Sequence, residues 1–129
     1  LKASEVAMAM LQDAGFEIIA TDVKVAAGLT VTCKAEDRDG TEWLFDVVGG
    51  FTSTRSGLAR SETLWKTLGK VAVISAEKAP HRYVLLTTDL PASGSGPGQA
   101  LNAVKGQSIT DALDITEPET FSVLEEWAG

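Results

Sequence analysis

The hairpin Leu29–Gly50, LTVTCKAEDRDGTEWLFDVVGG, constrains this chain more than any other stretch. Arg38-Asp39-Gly40 fits a three-residue loop in which Gly40 supplies the left-handed position of a type I turn with a bulge. That turn pairs Asp37 with Thr41, and the register follows by counting. Cys33 faces Phe45, Val31 faces Val47 and Ala35 faces Trp43, which makes one face of the hairpin wholly apolar. The other face carries Thr30, Thr32, Lys34 and Glu36 against Glu42, Leu44, Asp46 and Val48. A two-residue loop would mix the two sets. In this register Asp46 lies opposite Thr32 and diagonal to Lys34. A carboxylate in an otherwise apolar strand is costly unless it is paired or holds a metal. A metal ligand and a structural ion pair with Lys34 are both open readings here.

The segments around the hairpin set its context. Ser4–Ala14 reads as an amphipathic helix with Ala3, Val6, Ala7, Met10, Leu11 and Ala14 on one stripe, Ser4 as N-cap and Gly15 as stop. Phe16–Val25 is rich in β-branched residues and predicts a first strand. Gly49–Gly57 is a polar loop, and Leu58–Leu68 predicts a second helix with Leu58, Leu64, Trp65 and Leu68 inward. Gly69 either ends that helix, leaving Val71–Ser75 as a strand, or lies within a helix that runs to Glu77. Tyr83–Thr88 is apolar on both faces, as in a strand covered on both sides. Pro91–Gly98 reads as a loop, followed by a short helix near Gln99–Lys105 and a short apolar segment Ile109–Ile115. Thr116-Glu117-Pro118-Glu119 predicts a capping box opening a last helix to Trp127. The order helix, strand, strand, strand, helix, strand indicates an α/β chain with a mixed sheet flanked by helices. One domain over 1–129 is expected, with a core at 3–90 and a small C-terminal helical appendage at 91–129.

The composition, 44% hydrophobic over 129 residues, suffices for a core of that size. No apolar run approaches the ~18–20 residues that span a bilayer, and no charged-then-apolar leader opens the sequence. Leu1 in place of a methionine fits a piece of a longer chain. The lone Cys33 can form neither an internal disulfide nor a thiolate metal cluster, and suits a cytoplasmic setting. The net charge of −7 is unevenly spread. Residues 55–82 hold six basic side chains (Arg55, Arg60, Lys66, Lys70, Lys78, Arg82) and two acidic ones, while both flanking segments are acidic. Such a segment can contact a polyanion or form a solvated helix face. Glu62 and Lys66 at i, i+4 also make an ordinary helix pair. His81, in a turn beside Pro80, has no nucleophile-elbow pattern near it, and Gly94–Gly98 has neither dinucleotide-binding spacing nor a P-loop lysine. Cys33, Trp43 and Trp65 read as core; Trp127 reads as packing the last helix down or stacking on a base.

With this element order and the segment Phe45-Asp46-Val47-Val48-Gly49-Gly50, residues 3–90 resemble the PD-(D/E)xK nuclease superfamily, the restriction-endonuclease-like fold. In that family an acid near the end of the third strand is followed, after one spacer, by a lysine, and a second acid lies on the preceding strand. The acids hold divalent metal and the lysine orients water and offsets developing charge. Asp46 stands at the acid position, Val48 where the lysine belongs, and Thr32 where a second acid would sit. The resemblance implies a divergent nuclease-like domain that binds DNA and acts as a Mg²⁺-dependent endonuclease cleaving phosphodiesters, with Mg²⁺ held by Asp46 and Glu36 and Lys34 as the charge-offsetting group. Lys66 or Lys70 from the second helix is an alternative source of that lysine, and Arg55, Arg60, Lys66 and Lys70 are the expected nucleic-acid contacts. The alternative is a non-catalytic DNA-binding or protein-interaction module on the same fold, with a protein partner or a homodimer.

Overall fold

The computed structural model describes residues 2–49, 58, 61–76, 82–92 and 94–129. Helix α1 spans Ala3–Ala14 and ends in a Schellman turn. Gly15, at φ 119°, donates to the Gln12 and Leu11 carbonyls, and the Phe16 N–H reaches the Leu11 carbonyl at 3.0 Å. Its N-cap is Lys2 without a side-chain bond, so Ser4 lies inside the first turn. Strands β1 (Glu17–Lys24), β2 (Thr30–Glu36) and β3 (Glu42–Val48) follow, with a 3-10 turn Ala26–Gly28 between the first two. Over Cys33–Glu36 the β2–β3 register is that expected from the turn: Cys33 pairs with Phe45, Ala35 with Trp43, and Gly40 has φ 82°, whereas Val31, expected on their face, joins the core on the other side of the sheet. Asp37 secures the turn, its Oδ1 accepting the Asp39 and Thr41 N–H groups at 2.9 Å each.

Helix α2 (Ser61–Ala76) carries the chain from β3 to β4 (Arg82–Thr87), and α3 (Gly96–Val104) carries it on to β5 (Asp111–Asp114). The sheet order is β1-β2-β3-β4-β5, antiparallel as far as β3 and parallel from β3 to β5. Helix α4 (Pro118–Ala128) closes the described chain. On one face of the sheet, α1 and α4 cover Cys33, Ala35, Trp43, Phe45, Val84 and Leu86. On the other, α2 and α3 cover Val31, Leu44, Tyr83, Leu85 and Ala112. The result is a three-layer α/β/α sandwich.

Several local expectations change. Of the two open readings at Gly69 the structure has the continuous helix, running through it to Ala76, because Val71 and Ile74 on the next turns are buried under the sheet. That burial outweighs the ~1 kcal/mol cost of a helical glycine. Trp65 is 57% exposed, not core, since Leu64, Thr67, Val71 and Ile74 form the inward stripe. The segment after residue 90 is integral to the sandwich. It supplies edge strand β5, while Leu101, Ile109, Leu124 and Ala128 join the two core clusters. Helix α3 starts at Gly96, with Ser95 as its cap accepting the Gly98 N–H at 3.1 Å. The capping box at Thr116 does not form. The Thr116 hydroxyl turns back to the Asp114 carboxylate at 2.6 Å, and α4 opens from Glu117 with no side-chain cap. Among the described residues no helix is long and apolar enough to cross a membrane.

Candidate functional site at Asp46

The pleat of β3 sends Trp43 and Phe45 to the α1/α4 face and Leu44 and Asp46 to the α2/α3 face. Asp46 is 5% exposed. Its Oδ1 accepts the Thr32 N–H and the Thr32 hydroxyl, both at 3.2 Å. Its Oδ2 accepts the Tyr83 hydroxyl at 3.0 Å and faces the Lys70 ammonium at 2.7 Å. The Thr32 hydroxyl in turn accepts the Val47 N–H at 2.9 Å, so it bridges both strands.

Each partner arrives by a different route. Thr32 is the cross-strand neighbour set by the hairpin. Tyr83 pairs with Leu44 across the parallel β3–β4 ladder, and its phenol extends along the strand to Asp46. Lys70 flanks the inward stripe of α2 and is about three-quarters buried, its side chain 24% exposed. A carboxylate offers about four acceptor positions, and these four donors occupy them.

The buried charge is felt by its neighbours. Burial first, then Asp46 and the hydrogen bond to it, push the Tyr83 phenol well above its ordinary value, so it remains a protonated donor. Burial, reinforced by Asp46, pushes the Cys33 thiol up to about 12.

The residues singled out from sequence fall in different places. Lys34 pairs with Glu42 at 3.8 Å, not with Asp46. Glu36 lies opposite Glu42, four residues along β2 from Thr32, or about 13 Å at the usual rise per residue. The expected Asp46–Glu36 pair is therefore not brought together, because the two acids sit at opposite ends of the ladder. Lys70, expected at a nucleic-acid surface, is instead drawn inward to Asp46, the place considered for it as a substitute lysine. Lys66 is exposed and pairs with Glu62 at 3.2 Å. Arg55, Arg60 and His81 lie outside the described residues. Tyr83 is a site residue that the sequence pattern does not single out. Its signal was a hydroxyl-bearing ring in the apolar run YVLLTT, where a buried phenol needs a partner.

This donor set does not fit the divalent metal that the resemblance implies. Hard cations take several oxygen ligands. Both oxygens of Asp46 are committed, the partners among the described residues are donors, and an ammonium lies against Oδ2. Among the described residues no group of three His, Cys, Asp or Glu side chains converges anywhere.

Comparison with solved structures finds EndoMS in its complex with double-stranded DNA, at 19% identity and a TM-score of 0.50, covering 88% of this chain and 44% of that one. The fold is restriction-endonuclease-like. A repair endonuclease from Pyrococcus abyssi is also similar, at 15% identity and a TM-score of 0.47, with 81% of this chain and 39% of that one covered. This chain spans under half the length of either protein. No family model and no curated protein matches the sequence. Within the restriction-endonuclease-like fold, the expected core order runs from α1 to β4, and α3, β5 and α4 extend it.

Proposed function

We propose that this chain is a DNA-binding module on a restriction-endonuclease-like fold that does not cleave phosphodiesters. The observation that carries the reading is the saturation of Asp46: its oxygens are taken by Thr32, Tyr83 and Lys70, and among the described residues no group of metal-ligating side chains converges on it. Such a carboxylate is spoken for before any water or phosphate arrives. Support for DNA comes from the basic segment 55–82 and from the neighbour solved on a DNA duplex. In this reading Arg55, Arg60 and Lys66 contact the phosphate backbone. The Lys66–Glu62 pair is no obstacle, because its side chains are 76% and 73% exposed and such pairs hold weakly in water.

Fluorescence anisotropy with a labelled duplex at several salt concentrations tests binding. Salt-sensitive affinity that falls on Arg60→Glu and on Lys66→Glu supports the module. Plasmid nicking in Mg²⁺ or Mn²⁺ that disappears in Asp46→Ala would overturn the non-cleaving part. A second reading, a protein-interaction module, draws on the exposed Trp65 and Val73 of α2. A protein with no measurable DNA affinity at low salt, whose partner or self-association is lost on Trp65→Ala, would favour it.

A further inference from the structure

The misfit between Asp46 and a divalent ion has a specific cause. Lys70 brings one positive charge to one negative charge at 2.7 Å, in a layer lined by Leu44, Tyr83 and Leu85. We infer that Lys70 is a resident cation that takes the place of a divalent metal at Asp46 and keeps such metals out. This rests on the non-cleaving half of the reading above and is independent of whether DNA binds.

The charge balance favours the ammonium. One carboxylate with one lysine leaves no net charge in the layer. One carboxylate with a divalent ion would leave an uncompensated positive charge there, besides displacing the lysine. The neighbouring oxygens do not make up the deficit. The Thr32 hydroxyl donates to Asp46 while accepting the Val47 N–H, and the Tyr83 hydroxyl is a donor to Oδ2. A lysine ammonium suits the role because it is a compact point charge on a flexible stem. Here the stem starts from a helix whose other side chains, Leu64, Val71 and Ile74, are already fixed against the same sheet face. Lys70 therefore also ties α2 to β3 at the carboxylate.

The test is a Mn²⁺ titration of the protein without DNA, read by paramagnetic broadening of the backbone amide signals of Thr32 and Val47, and by thermal melts in Mn²⁺ and Mg²⁺. The wild type should show no broadening at these amides and no metal-dependent rise in melting temperature. Lys70→Met, which keeps the unbranched stem one atom shorter and removes the charge, should broaden both amides and melt higher in Mn²⁺. Asp46→Asn added to Lys70→Met should abolish both effects. Broadening in the wild type that Asp46→Asn removes would overturn the inference. So would a folded Lys70→Met variant that takes no Mn²⁺. Should Lys70→Met fail to fold, Lys70→Gln takes its place: Mn²⁺ broadening at Thr32 and Val47 that Asp46→Asn abolishes upholds the inference, and a folded Lys70→Gln that takes no Mn²⁺ overturns it.

Discussion

On the α1/α4 side of the sheet, β3 places Trp43 and Phe45 among rings, whereas on the α2/α3 side it places Asp46 among donors. Trp43 stacks on Phe45 at 5.9 Å and on Trp127 of α4 at 5.2 Å, and Phe16 meets both Trp43 and Phe45 edge-on. That face is held mainly by area and shape, which are non-directional and lose stability in proportion to the volume removed, with the Trp43 indole N–H donating to Asp37 at its rim at 3.1 Å. The Asp46 face also has an apolar ground, but its polar centre depends on every member being matched. Removing one leaves a buried donor or charge without its counterpart. One strand thus serves two kinds of packing, through alternate residues.

The largest expected loss is on the aromatic face. Trp43→Ala removes a fully buried side chain with three ring neighbours, and should cost about 3–5 kcal/mol in denaturant unfolding. A loss below 1 kcal/mol would mean that the rings repack and that the two faces do not differ as described. Next comes Asp46→Ala, which strands the Lys70 ammonium and the Tyr83 hydroxyl, for about 3 kcal/mol. Asp46→Asn, which keeps the shape and one acceptor oxygen, should lose less than Asp46→Ala in the same unfolding measurement. Equal losses for the two would point to volume, not donor matching.

The third prediction concerns alkaline pH. Cys33 has its thiol raised from 9.0 to about 12, so the folded state holds the proton more tightly than the unfolded one. This stabilisation is complete below pH 9.0 and drains away as the pH rises toward 12. The slope approaches ~1.4 kcal/mol per pH unit from this group alone. Tyr83, raised from 10.0, acts in the same direction above that pH. Unfolding midpoints measured from neutral to strongly alkaline pH should fall less steeply in Cys33→Ala than in the wild type. An unchanged slope would remove Cys33 from the account. The smallest effect belongs to the surface: Glu62→Gln should change stability by less than ~0.5 kcal/mol, because the Glu62–Lys66 pair is solvent-exposed. A larger change would show that the outer face of α2 bears structural load that its exposure does not suggest.

Much of this arrangement was legible in the chain. The turn at Arg38–Gly40 and the alternation of β3 were enough to place Asp46 opposite Thr32, and the structure has them hydrogen-bonded. Those relations are encoded within a few residues, by a left-handed glycine and by the two-residue repeat of a strand. The cation for Asp46 was legible only as a choice. Lys34 was the neighbour by register, yet Glu42 on the same hairpin holds it at 3.8 Å. On α2, helical spacing alone allows two adjacent stripes, one of them through Trp65, and only packing against the sheet selects the other.

By itself, then, the sequence determined the order of elements from α1 to β3, the hairpin register next to the turn and the presence of one acid on a polar face. The tertiary structure decided how that acid is neutralised. Tyr83 comes from a strand 37 positions away, and Lys70 comes from the helix that crosses between the parallel strands. Several lysines in this chain carry the same charge. The one that meets the carboxylate is the one whose stem starts from a backbone already fixed by burial of Leu64, Val71 and Ile74, and no local pattern records where that burial will carry it.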